Sequence, residues 1–210
     1  MARILITSGP TRQYLDPVRY LTNASSGRMG AALACSALQA GHEVIVVSGP
    51  VDVEYPAAAE LVSVVSTEEM LVACREIFSG CDGLIGSAAP CDYRPVVVES
   101  SKISKTGQPL RLELIETDDV VATLGRQKGN RWMVGFALET EDQRLRALAK
   151  LEKKSCDLMV VNGPEAMHSP DNDVEILDSL GATVARASGP KQQVADLILQ
   201  VIGRRLIDRS

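Results

Sequence analysis

The stretch Ile4-Leu5-Ile6-Thr7-Ser8-Gly9-Pro10-Thr11-Arg12, running on to Asn23-Ala24-Ser25-Ser26-Gly27-Arg28-Met29-Gly30, decides the fold of this chain. Ile4-Leu5-Ile6 is a short apolar run of the kind that forms a buried β-strand. Ala31 to Ala40 is a small-residue run that predicts a first helix. In a doubly wound α/β protein the junction between such a strand and helix faces the ligand. Most junctions of this type take about two to six residues. This one is much longer and carries Arg12, Asp16, Arg19, Asn23, Ser25 and Ser26. Irregular backbone is costly to order, so a long polar insertion at the ligand-facing edge points to chemistry rather than scaffolding.

Outward from that stretch the chain alternates strand and helix. Strand signals lie at Arg3–Thr7, Glu43–Ser48, Gly83–Gly86, Leu110–Ile115, Trp132–Ala137 and Asp157–Val161. Helix signals lie at Arg28–Ala40, Thr67–Ser79, Asp119–Gln127 and Thr140–Lys154, with Gly41 placed to stop the first helix. Val174–Leu177 and Thr183–Ala187 flank a turn at Asp178-Ser179-Leu180-Gly181 and predict a hairpin, before a closing helix from Lys191 to about Ile207. The expected architecture is α/β: a three-layer, Rossmann-like, mostly parallel sheet with helices on both faces and a C-terminal β-hairpin. Residues 1–210 read as a single domain. The loops 87–109 and 163–172 both follow strand ends, so both should join the opening segment at one edge.

Composition narrows the function classes. Apolar residues make up 45% of the chain and aromatics only 3%, so the core must rest on Val, Leu, Ile and Ala. That bias suits buried parallel strands covered by helices. A net charge of −5 argues against a broad nucleic-acid footprint. No apolar run approaches the roughly 20 residues of a membrane span, and the amino terminus goes straight into a strand without a signal-peptide core. Five cysteines, an odd number with no CxxC pair, are expected to be reduced thiols in a cytoplasm. With only His42 and His168 available, neither a zinc site nor a Ser-His-Asp triad is expected.

Four groups of residues could carry chemistry. In Asn23-Ala24-Ser25-Ser26-Gly27, backbone N–H groups at a helix start attract anions and the serines add donors. A serine N-cap explains Ser25 or Ser26 equally well, but Asn23 and Arg19 upstream tilt the reading to an oxyanion or phosphate site. The segment lacks GxGxxG, which disfavours a standard nicotinamide site. In Gly86-Ser87-Ala88-Ala89-Pro90-Cys91-Asp92, small residues after a buried strand let a ligand lie against backbone. Asp92 there could hold a metal or a ligand hydroxyl, or simply shape a turn. Ser101-Lys102-Ile103-Ser104-Lys105 precedes Gly107-Gln108-Pro109. On the residues alone it is a solvated segment first and a flap over an anion second. Lys150 and Lys154 share one helix face, either complementing a helix C-terminus or aiming two ammoniums at a polyphosphate. Asp118 and Asp119 are helix caps first and ligands second, and Phe136 is core or the flank of a base.

Taken together these segments resemble phosphopantothenate–cysteine ligase. The resemblance runs from about Arg3 to the last helix. It is most specific in Asp16-Pro17-Val18-Arg19-Tyr20, Asn23, Ser25-Ser26-Gly27 and Met29-Gly30. Asp92-Tyr93-Arg94, Lys102-Ile103, Gly135-Phe136 with Glu139-Thr140, and Asp157 with Asn162 follow in order. The resemblance implies an amide-forming ligase of coenzyme A synthesis. A carboxylate is activated on the α-phosphorus of a nucleoside triphosphate, pyrophosphate leaves, and the cysteine amine displaces the nucleotide. By that resemblance Lys102 is the flap lysine of acyl-nucleotide formation and Asn23 holds the acyl-nucleotide for the second step. Gly86, Ser87, Ala88, Asp92, Asp118, Asp119, Val120, Val121, Phe136, Lys150 and Lys154 take the nucleotide. Ser25, Ser26 and Gly27 surround phosphate or acyl group, and Arg19 reaches the substrate phosphate. It also implies CTP ahead of ATP, Mg²⁺ on the triphosphate with no ligating residue singled out, and a homodimer with a flap and dimerisation segment at about 90–112. The flavin-dependent decarboxylase half is not in this sequence, so no flavin is expected and a separate decarboxylase becomes a candidate partner.

Three segments depart from the family pattern. The usual Lys-Ile-Lys-Lys is Lys102-Ile103-Ser104-Lys105, Ala-Val-Ala-Asp is Ala89-Pro90-Cys91-Asp92, and Asn-Pro-Asp is Thr117-Asp118-Asp119. They bear on base preference and substrate affinity more than on reaction class. The competing readings are an NAD(P)-dependent oxidoreductase, opposed by the missing GxGxxG and Tyr-x-x-x-Lys pair, and a catalytically silent nucleotide-binding relative, opposed by Asn23, Asp92 and Lys102.

Overall fold

The computed structural model describes residues 1–138, 143–163 and 171–208. The chain runs β1 (Arg3–Ser8), β2 (Arg12–Tyr14), β3 (Tyr20–Thr22), α1 (Arg28–Gln39), β4 (Glu43–Ser48), β5 (Glu60–Ser63), α2 (Thr67–Phe78), β6 (Gly83–Gly86) and β7 (Tyr93–Pro95). It continues through β8 (Leu114–Glu116), α3 (Val120–Gly125), β9 (Trp132–Leu138), α4 (Gln143–Lys153), β10 (Leu158–Asn162), β11 (Asp171–Asp178), β12 (Thr183–Pro190) and α5 (Lys191–Ile202), and a π-helical turn at Gly203–Ile207.

The eight-stranded sheet has the order β12-β11-β10-β9-β6-β1-β4-β5. Strands β5 to β10 in that row are parallel, and β11 and β12 add an antiparallel hairpin. The period-2 geometry of β1 divides the core. Ile4 and Ile6 pack with Leu33 and Ala37 of α1 and Val194 and Ile198 of α5. Leu5 points the other way, to Met70 of α2, Leu124 of α3 and Leu151 of α4. All three β1 side chains are fully buried, each contributing about 1.5–3 kcal/mol over an exposed position. The fold is therefore the expected three-layer α/β sandwich of one sheet between two helix layers. Strand order reverses at β1, so the connections from β1 to α1 and from β6 to α3 depart to opposite faces and leave a crevice at the carboxyl ends, where the two chain segments stay paired through Pro10 and Ala89.

The structure corrects the expectation for Leu110–Ile115. The strand there is Leu114–Glu116, and it pairs with β7 in a separate two-stranded ribbon. The main sheet has no slot for it, because β6 and β9 bond directly to each other. Leu110 and Leu112, which precede this ribbon, and Leu114 and Ile115, which lie on it, stay exposed. Within the long first junction, β2 and β3 form another ribbon, closed by Tyr14 against Tyr20 and by Arg12 stacked 4.5 Å over the Tyr20 ring. The sheet edge β5 is further unforeseen, since Glu60-Leu61-Val62-Ser63 is short and half exposed. The start of the expected fourth helix at Thr140, Glu139 and most of the loop 163–172 lie outside the described residues.

Two helix starts fall where expected. Helix α2 begins at Thr67, with Ser66 as its cap accepting from Glu69 N at 3.1 Å. Asp119 caps the short α3 through Ala122 N at 3.0 Å, as a helix-start aspartate should.

Candidate functional site

The crevice floor is built by close approach. A Cβ on Gly30 would lie 2.0 Å from Ser8 Oγ, and one on Gly86 would lie 2.7 Å from Val121 Cγ2. Only glycine lets α1 and α3 sit so near the ends of β1 and β6. The N-cap of α1 is Gly27 with φ +74°, and no side chain caps the helix. This settles the choice left open for the serines: neither Ser25 nor Ser26 is the cap. The first N–H groups of α1 thus have no side-chain partner and carry the positive end of its dipole, a ready anion site. Gly27 is held from below. Ser8 Oγ donates to Gly27 O at 3.3 Å, and Tyr55 Oη donates to Ser8 Oγ at 2.8 Å.

Two adjoining cavities, about 400 and 420 Å³, open above this floor. Each falls in the size range of small-molecule sites. Gly86, Asp118, Asp119, Val120, Val121 and Lys154 line the first. Asn23, Ser25, Ser26, Gly27, Ser87 and Lys150 line the second. Ala88, Pro90, Asp92 and Phe136 line both and form the shared wall. Phe136 is half-buried there, so it is wall rather than core.

Polar contacts fix the wall. The Cys91 amide donates to Thr11 Oγ1 at 2.8 Å, and its carbonyl accepts from Thr117 Oγ1 at 2.6 Å and Thr67 Oγ1 at 3.1 Å. Asn23 Nδ2 donates to Pro90 O at 2.9 Å and Ala89 O at 3.3 Å, tying the two ligand-facing loops together. In the first cavity Lys154 Nζ lies 3.2 Å from Asp119 Oδ2. Burial pushes the Asp119 carboxyl up, but Lys154 and the Ala122 N–H outweigh it and hold the carboxyl below its ordinary range.

The segment around Lys102, expected as a flap, is anchored away from these cavities. Asp16 is fully buried. Its Oδ1 accepts from Val18 N and Arg19 N, both at 2.8 Å, and its Oδ2 accepts from Ile103 N at 3.0 Å. Arg19 Nη2 lies 2.7 Å from Asp16 Oδ2 and also donates to Ile103 O. Both backbone groups of Ile103 are gripped, and Lys102 is its neighbour. Burial raises the Asp16 carboxyl, yet these N–H bonds and the Arg19 charge bring it down to about 2. Lys102 is exposed and lines a separate hollow with Leu15, Val97 and Leu112. Neither Lys102 nor Arg19 lines the two central cavities.

The model of the DNA/pantothenate metabolism flavoprotein C-terminal domain family matches residues 1–206. The chain belongs to that family. It is 41% identical over 185 residues to the coenzyme A biosynthesis bifunctional protein CoaBC of Vibrio vulnificus (strain CMCP6), covering 85% of this chain and 46% of that protein. The chain spans about half the length of the relatives it matches. A crystal structure of the C-terminal domain of a CoaBC superposes with a TM-score of 0.82 at 37% identity, covering 98% of this chain and 96% of that one. A Cab2 mutant in complex with phosphopantothenate-cysteine has the same fold, with a TM-score of 0.78 at 15% identity over 96% of this chain and 85% of that one.

The structure adds cavity residues to this family member that sequence reasoning did not assign. Thr7, Arg28, Asn172 and Lys191 line the cavities, as does Asn162, which had been matched without a role. Asn172 is 5% exposed, and among the described residues its Oδ1 has no hydrogen-bond partner. An unmet buried acceptor costs about 1–3 kcal/mol. The sequence signal for Asn172 was weak: it is one polar residue at the head of a hairpin strand. Among the described residues no group of three or more His, Cys, Asp or Glu could hold a metal. Nor is any described helix long and apolar enough to cross a membrane.

Proposed function

We propose that this domain is the ligase of coenzyme A synthesis that joins 4′-phosphopantothenate to L-cysteine through an acyl-nucleotide. The observation that carries the reading is the pair of adjoining cavities with one shared wall at the strand-order reversal. A two-step ligase needs this: a nucleotide pocket open to an acyl pocket at the reacting phosphorus. The substrate carboxylate attacks the α-phosphorus, forming a C–O–P link while pyrophosphate leaves. The cysteine amine then attacks the acyl carbon, the N–C bond forms, the nucleotide monophosphate leaves, and the amine loses a proton. Both steps move negative charge, which the N–H groups of α1 and the Lys150 and Lys154 ammoniums are suited to stabilise.

In this reading the first cavity takes base and ribose, with Asp92, Asp119 and Phe136 around them. The second takes the acyl group beside Asn23, Ser25, Ser26 and Gly27. CTP is the favoured nucleotide. Magnesium arrives as part of the substrate, on the triphosphate oxygens, which suits an ion that usually shares few protein ligands. Lys102 serves the first step, so its flap must reach a cleft, of its own protomer or of a partner. The exposed apolar row Val97, Leu110, Leu112 and Ile115 on that flap supports a homodimer. The decarboxylation preceding this reaction would come from a separate flavin enzyme or a fused segment, and the cytoplasm is the expected site.

The test is pyrophosphate release with CTP or ATP, with and without phosphopantothenate and cysteine. Release above background that needs phosphopantothenate supports the ligase, and none with either nucleotide refutes it. Lys102→Gln should block acyl-nucleotide formation. Asn23→Asp should spare that step and slow cysteine transfer.

A further inference from the structure

We propose that the end of the second cavity lying between the starts of α1 and α5 is the subsite for the amino-acid substrate, binding its carboxylate at Arg28 and Lys191 and its amine at Asn172. The inference rests on the ligase reading and deepens it.

The hairpin and α5 bring these groups together. Asn172 pairs with Gly189 across β11 and β12, and α5 begins at Lys191 immediately after β12. Lys191 Nζ also donates to Asp171 O at 3.4 Å, beside Asn172. The N-cap of α5 is Pro190, which offers no side-chain cap, and α1 is uncapped as well. The start of α1, from Gly27 to Gly30, lines one cavity with Arg28, and Lys191 at the start of α5 lines it too. The two cations are near neighbours: burial first, then the Arg28 charge, pulls the Lys191 ammonium below its ordinary pKa. Such a corner takes an anion.

Asn172 adds the opposite requirement. It is 5% exposed, lines this cavity, and carries an Oδ1 with no partner among the described residues. An orphan acceptor asks the ligand for an N–H or O–H. The terminal phosphates of a nucleotide bring negative charge but no donor at neutral pH. An amino acid brings both, a carboxylate and an amine separated by one carbon. Asn23 lines the same cavity, so an amine held at Asn172 shares it with the acyl group assigned to Asn23. The phosphate end of phosphopantothenate, with its neighbouring hydroxyl, is the competing occupant.

The experiment measures KM for L-cysteine, CTP and phosphopantothenate in the wild type, Asn172→Ala and Lys191→Met, with melting temperatures and with cysteamine as a carboxylate-free analogue. Asn172→Ala should raise the cysteine KM about tenfold, the worth of one hydrogen bond, while the other two KM values stay within about twofold. Because Oδ1 has no partner among the described residues, the alanine variant should melt no lower than the wild type. Lys191→Met should cut the preference for L-cysteine over cysteamine about tenfold. A rise in the phosphopantothenate or CTP KM instead overturns the assignment in favour of a phosphate. A preference for L-cysteine unchanged in Lys191→Met, or a melting loss without a KM change in Asn172→Ala, overturns it in favour of a structural role. Absence of pyrophosphate release in the wild type would instead defeat the ligase reading itself.

Discussion

Gly30→Ala should destabilise the protein and slow the reaction, although alanine is the better helix former. Inside a helix alanine is worth about 1 kcal/mol over glycine. Against that gain stands Ser8: the new Cβ would lie 2.0 Å from its Oγ and 2.5 Å from its Cβ. Reaching an ordinary contact of 3.4 Å requires α1 to back away from β1 by about 1.4 Å. Overpacking of this kind costs roughly 1–3 kcal/mol in a well-packed core. Ser8 is fully buried beneath Gly27, so there is no solvent to yield into. Against the helix gain the net loss is about 1 kcal/mol, which corresponds to a fall in Tm of about 2–4 °C for a chain of this size. The same shift moves the uncapped start of α1 off the cavity floor, and a displacement of about 1 Å can cost a factor of about 100 in rate. Thermal melts and pyrophosphate release should be run on Gly30→Ala, Ser8→Gly and the double variant. Ser8→Gly alone loses the bonds from Tyr55 and to Gly27. In the double variant the nearest remaining atom is Ser87 Oγ at 3.2 Å, so the two losses should be strongly non-additive. A Gly30→Ala protein that melts higher, or a double variant with simply additive losses, would refute the steric account.

Asp16→Asn should loosen the flap, because an amide nitrogen would face the Ile103 N–H and Arg19 guanidinium that now donate to Oδ2; faster proteolysis at residues 99–110 reads this out. Since the Asp16 carboxyl is lowered to about 2, its stabilisation is complete above the unfolded value of about 3.9 and is lost as pH falls toward 2. Flap protection should therefore be flat from pH 5 to 8, and a midpoint within that range would exclude Asp16 as its source. Lys154→Met should raise the nucleotide KM about tenfold and cost about 1 kcal/mol of stability, a figure kept small because Asp119 is 35% exposed; unchanged nucleotide affinity would remove Lys154 from the site. Thiol titration of the native protein near pH 8 should show one fast cysteine, Cys35, the only one not buried. Cys74 and Cys156 are pushed up to about 12, mainly by burial, and two or more fast thiols would contradict that packing.

The main sheet was legible because its strands announce themselves twice. Ile4-Leu5-Ile6 and Leu84-Ile85 are apolar on both faces, as strands between two helix layers must be, and each ends in small residues that admit a ligand. The ribbons were not legible. Leu110 to Glu116 alternates like any strand, but nothing local says that β6 and β9 already occupy each other's edges. Partnering of that kind is set by the whole sheet and not by the segment. The same limit applies to the site. Asn23, Asp92 and Phe136 sit where a chain reading of strand ends puts them, in the wall and floor of the cavities. Asn172 and Lys191 arrive from a hairpin and a helix at the far end of the sequence; the pairing of Asn172 with Gly189 sets them side by side, and the packing of α5 on α1 brings them to the α1 start.

That arrangement explains why the first junction is so long. A loop that only cradled phosphate would need small residues and N–H groups, and Ser25 to Gly30 already supplies them. The additional residues do a different job. Thr11 grips the Cys91 amide, Asn23 grips the Ala89 and Pro90 carbonyls, and Asp16 with Arg19 grips both backbone groups of Ile103. Each of these is a side chain of the first junction bonded to backbone of the second ligand-facing loop or of the flap. Backbone partners are indifferent to the side chain they carry, so the departures at Pro90, Cys91 and Ser104 leave these grips intact. The junction is long because it must span the wall, the floor and the root of the flap before α1 can begin.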